Sequence, residues 1–442
     1  MGYRLKIALI LTATALASSF AVPANAADIT LFRFFGDCAN ENTGVTDLAK
    51  ATGECGIIQV LTNKFNAENK IGAKVTTQTV DWGTYYDLLS ATYSTSNIPD
   101  VAVMHRSVLP NFASRGLLEP LGEDFAASGV DVNDFVPAAK EAVSVDGQIY
   151  ALPFDIHALL VHVNVDLMKQ AGLVDAEGKP TLPKSPEELI AQGQQFKKAT
   201  GKTYLAMEAN SSSAMGLRLF DSLVWQQGSD IIAADHKTST IDTPEGLKAA
   251  ELLATIFKED LGNKAYDYAG AEQAFLNGDA GLLLNGTWPV DNYTTQAASG
   301  KAGLKNYVVA NLPKLFSQDA TWADSHEWTI PVDPNRSPEE KTAALAFLKF
   351  IYDNNYEWSR TGHLSVRQSV IDSDKFKALP HRSEYSDTSK IAHALPMIQN
   401  QRAIQDVMLS ELNAIWLTDA DPKTVLGQMQ SRVDQTLKRS KN

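Results

Sequence analysis

The sequence predicts an α/β protein, because segments with strand periodicity alternate with segments of helical periodicity along its 442 residues. Segment 29–34 is a short apolar run rich in strand-favouring residues, and segment 56–69 carries apolar residues at helical spacing. Segment 74–80 alternates in the manner of a strand, and segment 99–104 reads as a compact buried strand. Strand and helix therefore follow one another from the start, as expected of layered α/β folds.

The starts of three helices are marked in the sequence. Segments 185–188 and 337–340 both read Ser-Pro-Glu-Glu, a capping-box sequence with proline at the first helical position. Thr243 and Pro244 open a third helix, whose apolar residues share one face. Repeats and flexible linkers are not apparent in the sequence. We therefore expect any boundary between lobes to lie where strands cross from one lobe to the other.

The first 26 residues have the pattern of a secretory leader. Arg4 and Lys6 precede the apolar stretch 7–20, and Ala24-Asn25-Ala26 provides the small residues that signal peptidase requires. The pattern predicts cleavage before Ala27 and export to the periplasm, with a cytosolic N-terminal helix as the alternative. No lipid anchor is expected, since no cysteine follows the apolar stretch.

Two cysteines, Cys38 and Cys55, lie just after the predicted cleavage site. In an exported protein such a pair favours a disulfide, which would stabilise by about 3 kcal/mol. A metal site of two thiolates and a pair of free thiols are the alternatives, but no histidine lies close to either cysteine in the sequence. We expect a disulfide that braces the loop after the first strand.

The formal charge of −13, or −15 once Arg4 and Lys6 leave with the leader, disfavours nucleic acid and anionic membranes as partners. After the leader, no apolar run approaches the roughly 18 residues of a membrane-spanning helix. The sequence therefore predicts a globular exported protein.

Two catalytic motifs begin in the sequence but are not completed. Segment 281–286 has the spacing of a phosphate-binding loop without its lysine, and segment 326–330 starts like a zinc-protease helix but lacks the second histidine. No nucleophile elbow, calcium loop or dinucleotide fingerprint occurs. We expect no enzymatic activity and no cofactor, although nothing in the sequence singles out or excludes a pair of glycosidase carboxylates.

Two adjoining segments resemble a known family. Segment 146–154 reads DGQIYALPF and segment 162–173 reads HVNVDLMKQAGL. Both are similar to the carbohydrate-binding family of extracellular solute-binding proteins of ABC importers, the family that includes maltose-binding protein. Five further segments match the family's motifs in order: 96–101, 182–189, 275–288, 339–352 and 362–367. Pro186 and Ser365 depart from the tryptophan and proline that are usual in two of these motifs.

The resemblance implies two α/β lobes with the ligand between them, joined by crossovers near 151–154, 328–331 and 353–358. Hinge closure would capture a sugar, and the membrane permease would receive it. The protein is expected to act as a monomer. The predicted lobes are 27–150 with 328–356 on the N-terminal side, and 151–327 with 357–442 on the C-terminal side.

A sugar site needs aromatic planes and side chains that both donate and accept hydrogen bonds. The family motif makes Trp288 the expected stacking face, with a core tryptophan as the alternative. The residues expected to contact the ligand come from the loops and strand ends that face the cleft in this family: Phe35, Asp37, Trp82, His105, Asp155, His157, Glu208, Asn210, Trp288, His326, His363 and Arg367.

The four histidines in this set suggest a ligand with an acidic group, such as a uronate, particularly beside Arg106 and Arg367. For each histidine the alternative is an ordinary core or surface position. A metal site built from these histidines is not expected.

Other functions remain open from the sequence. The same fold could bind a polyol, a glycerol-phosphate derivative or a polyamine. An exported glycoside hydrolase is the alternative from a different class, and a structural cell-surface protein is a third.

Overall fold

The computed structural model describes residues 27–210, 214–301 and 303–439. The predicted leader lies outside these residues, so its cleavage site stays a prediction. Within the described ranges, no helix combines the length and the apolar character that crossing a membrane requires.

The strands of the structure include the three predicted at 29–34, 74–80 and 99–104, each within two residues of its predicted bounds. In chain order they are β1 (Asp28–Arg33), β2 (Lys74–Thr79), β3 (Val101–His105), β4 (Ser144–Val145), β5 (Gln148–Ile149), β6 (Ala151–Asn164), β7 (Thr203–Ala206), β8 (Ala280–Gly286), β9 (Tyr307–Asn311), β10 (Thr321–Thr329) and β11 (Ala392–His393).

Helices alternate with these strands and dominate the C-terminal part. They are α1 (Gly53–Glu68), α2 (Trp82–Thr92), α3 (Leu109–Ala113), α4 (Gly122–Ser128), α5 (Pro137–Ala142), α6 (Val165–Gln170), α7 (Pro186–Thr200), α8 (Ala214–Trp225), α9 (Pro244–Lys258), α10 (Tyr268–Leu276), α11 (Val290–Ser299), α12 (Pro338–Asp353), α13 (Asn355–Ser359), α14 (Gln368–Ile371), α15 (Asp374–Lys377), α16 (Thr388–Ile391), α17 (Gln401–Leu417) and α18 (Pro422–Arg439).

One mixed sheet runs through the molecule in the order β2-β1-β3-β10-β6-β8-β7, with β9 paired to β6 and β11 to β10. β1 is parallel to β2 and β3, whereas β10 is antiparallel to both β3 and β6. The two long strands β6 and β10 lie at the centre of the sheet. They connect the two ends of the molecule directly.

The buried apolar residues form two main cores. One packs β1, β3 and the first part of β6 against α1 and α12 and includes Trp328 and Trp358. The other packs β8 and the later part of β6 against helices α8, α9, α17 and α18. The change of core occurs within β6 and β10, as expected of a two-lobed α/β protein with crossover strands. The predicted lobe boundaries themselves stay a prediction.

The disulfide is confirmed: Cys38 and Cys55 are bonded, with their Cα atoms 5.8 Å apart. It joins the loop after β1 to the first turn of α1. The chain leaves β1 through Phe35 and Gly36, which have φ of 78° and 77°. Residues other than glycine rarely adopt this left-handed conformation, so the bond helps to hold a strained turn.

The predicted helix starts are confirmed, with one difference. Ser337 and Glu340 form a complete capping box at α12. At α7, Ser185 accepts the N–H of Glu188, but the Glu188 carboxylate accepts the N–H of Lys184 and not that of Ser185. The second half of the box is therefore missing there.

A candidate ligand-binding site at the hinge

The register of the central strands brings distant histidines together. His326 on β10 lies opposite His105 on β3 and opposite Asp155 on β6. His157 follows Asp155 by two residues and so shares its face of the sheet. The ring centroids of His105 and His157 lie 4.7 and 4.3 Å from that of His326.

Asp155 is the buried centre of this cluster. Its carboxylate accepts hydrogen bonds from His157 Nδ1 at 3.0 Å, His326 Nδ1 at 2.8 Å and Trp358 Nε1 at 2.7 Å. Burial alone would raise the pKa of Asp155, but His326, His363 and the imidazole hydrogen bonds hold it well below its usual range. Asp155 is therefore a carboxylate, and it fixes the orientation of two rings.

These contacts determine which ring nitrogens carry protons. The Nδ1 of His157 must carry one, since it donates to a carboxylate, and burial lowers the pKa of His157. Tyr86 Oη accepts the backbone N–H of His105 at 2.8 Å and donates to His105 Nδ1 at 2.5 Å. Burial also lowers the pKa of His105 well below its usual value. His105 therefore offers an Nε2–H donor, while neutral His157 offers an Nε2 acceptor.

His363 lies behind Asp155, with its Nε2 3.6 Å from Asp155 Oδ2 and 3.4 Å from Glu54 Oε1. Its Nδ1 donates to the hydroxyl of Thr361, whose own hydrogen is given to the carbonyl of Trp358. Burial and the neighbouring carboxylates raise the pKa of Glu54 well above its usual value, and burial lowers the pKa of His363 to about 3. A neutral carboxylic acid facing a neutral imidazole is the favoured arrangement.

The cluster could also hold a metal ion. Asp155, His157, His326 and His363 offer ligand atoms that all lie within 4.8 Å of one another. Hydrogen bonds to the carboxylate account for the approach of His157 and His326 without an ion. Without an ion, these four residues still form a hydrogen-bonded cluster that supports the side chains lying in front of it.

That surface lines a cavity of about 390 Å³ at the hinge. Both ends of the sheet contribute, along with the loop after β1 and the helices α2, α8 and α10. The lining residues are Phe34, Phe35, Gly36, Glu54, Asp81, Trp82, Gly83, His105, His157, Glu208, Ala214, Met215, Arg218, Tyr268, Trp288 and His326. We call this the histidine-lined cavity.

Two indoles, Trp82 and Trp288, line the cavity from its two sides. Trp288 donates from Nε1 to Tyr268 Oη at 2.7 Å, which fixes the ring. A Cβ atom on Gly286 would lie 1.8 Å from the Trp288 ring, so the indole rests directly on the backbone of β8. The guanidinium of Arg402 on α17 lies 4.9 Å from the Trp82 ring centroid. Neighbouring residues thus hold both indole rings in place without a ligand.

One cation, Arg218 on α8, enters the cavity from the C-terminal side. Its guanidinium carbon lies 4.1 Å from the ring centroid of Trp322 and 5.6 Å from that of Trp288. Glu208 also faces the cavity, and its carboxylate accepts the N–H of Ala214 at 3.1 Å. Burial raises the pKa of Glu208.

A larger cavity, of about 920 Å³, lies beside the same strands. Ile156, which lies between Asp155 and His157 in the sequence, lines it, and so does Ser325, which precedes His326; both point to the opposite face of the sheet. Arg106 also lines it and pairs with Glu141 at 3.0 Å. We call this the reverse-face cavity.

Comparisons with known proteins identify the family. Residues 61–384 match the family model of bacterial extracellular solute-binding proteins. The chain belongs to that family. It is 25% identical over 370 residues to the arabinooligosaccharide-binding protein of Bacillus subtilis (strain 168), covering 80% of this chain and 78% of the relative.

Solved structures share the fold. Maltose-bound MalE3 of T. maritima matches with a TM-score of 0.78 and 21% identity, covering 93% of this chain and 100% of the other. UgpB of Mycobacterium tuberculosis, in complex with glycerophosphocholine, matches with a TM-score of 0.75 and 20% identity, covering 93% and 98%. The two-lobed fold predicted from the sequence is therefore confirmed.

Most of the predicted ligand residues lie together in the structure, in the wall of the histidine-lined cavity or directly behind it. Asp155 and His363 lie directly behind the cavity wall, where they support the residues in front. Those predicted residues that do line the cavity are Phe35, Trp82, His105, His157, Glu208, Trp288 and His326.

Three predicted residues lie elsewhere. Asp37 is exposed and accepts the N–H of Ala39, because the left-handed turn directs it outward. Asn210 is exposed beyond the end of β7. Arg367 pairs with Asp134 at 2.7 Å, outside the histidine-lined cavity. Arg106 likewise pairs with a carboxylate, that of Glu141, and lies outside this cavity.

The sequence analysis missed Glu54, Arg218 and Tyr268. Arg218 had a signal: a single arginine within α8, whose neighbours Leu217 and Leu219 are buried. Charged residues are rarely buried without a partner or a function. Glu54 and Tyr268 had no comparable signal, since an acid beside a cysteine and a tyrosine at a helix start are common.

Proposed function

We propose that this solute-binding protein is the periplasmic substrate-binding subunit of an ABC importer and captures a sugar between its lobes. The observation that carries the proposal is the histidine-lined cavity, where two fixed indoles lie beside neutral groups that donate and accept hydrogen bonds. Sugars present apolar C–H faces and hydroxyl groups that both donate and accept. A cavity with these two kinds of surface matches that chemistry.

The size of the cavity limits the ligand. Small-molecule sites have volumes of roughly 300–1,000 Å³, and about 390 Å³ lies at the lower end of this range. A monosaccharide or short oligosaccharide fits that size. The arabinooligosaccharide-binding and maltose-bound relatives support the same class of ligand.

Hinge closure would couple binding to transport. Asp155 on β6 joins His326 on β10 and Trp358 on α13, so residues in or beside the three predicted crossovers would meet at one carboxylate behind the ligand. A ligand that contacts both lobes stabilises the arrangement in which they are close together. After export and cleavage before Ala27, the protein would act as a monomer. The membrane permease would then recognise its closed form. No covalent step is needed.

The proposal is tested by a thermal-shift screen of the mature protein, followed by calorimetry with the ligands that raise its melting temperature. Neutral, acidic and amino sugars, oligosaccharides and polyols form the panel. A ligand that binds only the folded state raises the melting temperature by mass action. We expect one sugar class to do so and Trp288→Ala to reduce the shift. Turnover of a glycoside by the pure protein would instead favour a hydrolase.

A glycerol-phosphate derivative is a second candidate ligand. Arg218 favours it, as does the similarity in fold to UgpB, whose complex contains glycerophosphocholine. A shift with glycerophosphodiesters and none with any sugar would make this candidate the better one. Polyamines are less well matched, since a guanidinium faces the cavity.

A further inference from the structure

Arg218 is held in a rigid position that faces the cavity. Its guanidinium lies against the indoles of Trp322 and Trp288, with the carbon 4.1 and 5.6 Å from their ring centroids. Met215 and Leu219, which lie on either side of it in α8, are buried and apolar. Stacking fixes the plane of the guanidinium without using its N–H groups.

Those N–H groups have no partner within the described part of the chain. A guanidinium carries five N–H donors, yet no hydrogen bond or ion pair within residues 27–210, 214–301 and 303–439 uses those of Arg218. Other arginines near the hinge already form ion pairs: Arg402 pairs with Asp406 at 3.0 Å and Arg106 with Glu141 at 3.0 Å. Arg218 therefore differs from them in having its bonding capacity unused.

The charge of Arg218 persists in this setting. Burial lowers its pKa to about 10, which leaves the guanidinium protonated at neutral pH. The carboxylate of Glu208 attracts it from a distance, and the Glu208 oxygen atoms accept backbone N–H groups at the start of α8. A cation in a partly closed cavity with free donors is suited to an oxyanion, above all a planar carboxylate.

We propose that Arg218 is the specificity-determining residue of the site and pairs with an oxyanion on the bound sugar, a carboxylate as in a uronate. This inference rests on the proposed sugar-binding function. The uncharged part of the ligand would meet the imidazoles, with His105 Nε2–H donating to a ring or hydroxyl oxygen and His157 Nε2 accepting from a hydroxyl. A sugar phosphate offers the same oxyanion chemistry on a tetrahedral group.

The test compares matched ligands and matched variants by calorimetry. Each uronic acid is paired with its parent neutral sugar and with the corresponding sugar phosphate. We expect the uronate to bind at least tenfold tighter than the neutral sugar. Arg218→Gln should weaken the uronate on the order of 100-fold, with little change for the neutral sugar.

Two further variants separate charge from structure. Arg218→Lys keeps the charge but loses the planar fork, so it should restore part of the preference for uronate. Arg106→Gln removes an arginine of the reverse-face cavity and should leave the preference unchanged. Circular dichroism and the melting temperature of each variant report whether it is folded.

The outcomes are distinguishable. A preference for uronate that disappears in Arg218→Gln supports the inference, whereas a larger preference for phosphate would reassign the oxyanion and overturn the choice of carboxylate. Tight binding of neutral sugars with no preference for acids overturns the inference and leaves the proposed function intact. Failure of every sugar to bind overturns both.

Discussion

The two cavities at the hinge lie on the same strands and differ in what their charged groups do. In the reverse-face cavity, Arg106 pairs with Glu141, and Arg382 donates to the carbonyls of Ser359, Gly362 and His363. In the smaller, histidine-lined cavity, the guanidinium of Arg218 and imidazole nitrogens of three histidines have no partner among the described residues.

The difference teaches that volume alone does not identify a binding site. The reverse-face cavity encloses about 920 Å³ against about 390 Å³, but its arginines Arg106 and Arg382 already donate to groups of the protein. A ligand gains most where donors and acceptors are held in place and unused, because nothing has to be broken when it binds. The following experiments test whether this contrast is real, from the largest expected effect to the smallest.

The largest effect should come from Asp155. Asp155→Ala removes the shared acceptor of two imidazole N–H groups and one indole N–H. Buried donors left without a partner should cost about 3–5 kcal/mol of unfolding free energy. Urea denaturation measures this cost. The control is Ile156→Val on the opposite face, which should cost only about 0.5–1.5 kcal/mol. Equal costs would show that the cluster has no special role in the hinge.

The disulfide at the edge of the histidine-lined cavity should have the next effect. Replacing Cys38 and Cys55 together by serine should lower the unfolding free energy by about 3 kcal/mol. Wild-type protein in reductant should approach the variant, and the variant should not respond to reductant. The bond would be unimportant for stability if reductant left the wild-type melting temperature unchanged.

A third experiment compares the aromatic residues of the two cavities. Trp288→Ala should weaken ligand binding about 30-fold, equivalent to roughly 2 kcal/mol, because it removes a stacking platform. Phe376→Ala, in the reverse-face cavity, should leave the affinity within about twofold, well under 0.5 kcal/mol. Calorimetry with the ligand from the screen measures both. A similar loss in the two variants would remove the distinction between the cavities.

The smallest effect, counted per pH unit and per residue, is that of pH on stability. Burial lowers the pKa of His105 and His157, and that of His363 to about 3, so the unfolded chain binds protons that the native state does not. Stability should therefore fall as the pH drops from 6.5 towards 3, by at most about 1.4 kcal/mol per pH unit for each such histidine. Glu54, whose pKa is raised, opposes this fall.

Melting temperatures between pH 4 and 7 test this expectation. His363→Asn should make the fall shallower, whereas His236→Asn, at an exposed loop position, should not. A slope that is the same in wild type and His363→Asn would contradict the neutral buried imidazole.

Much of the fold could be predicted from the sequence, because its signals are local. Alternation predicted β2, apolar spacing predicted α1, and the Ser-Pro-Glu-Glu segments predicted the starts of α7 and α12. Each of these depends on residues within a few positions of one another. The family resemblance added the two-lobed arrangement, which no local pattern could give.

The site could be predicted only in part, because its contacts are long-range. His105 and His326 were identified one by one, but their meeting across β3 and β10 depends on strand order and register. The pairing of Arg367 with Asp134 joins residues far apart in the chain, so nothing near Arg367 could reveal that it was already committed. Arg218 shows the opposite case: it stands out in the sequence of α8, and none of the described residues accepts its N–H groups.

The contact between Trp288 and Gly286 has a consequence for how this site could change its ligand. The indole is positioned by the absence of a side chain beneath it, on a residue that does not itself line the cavity. A single methyl group at position 286 would displace the indole and so reshape the space for the sugar, with every contact residue kept. Selection for a new ligand, in nature or in a mutant library, could therefore act on a residue beneath the site as readily as on the residues that line it.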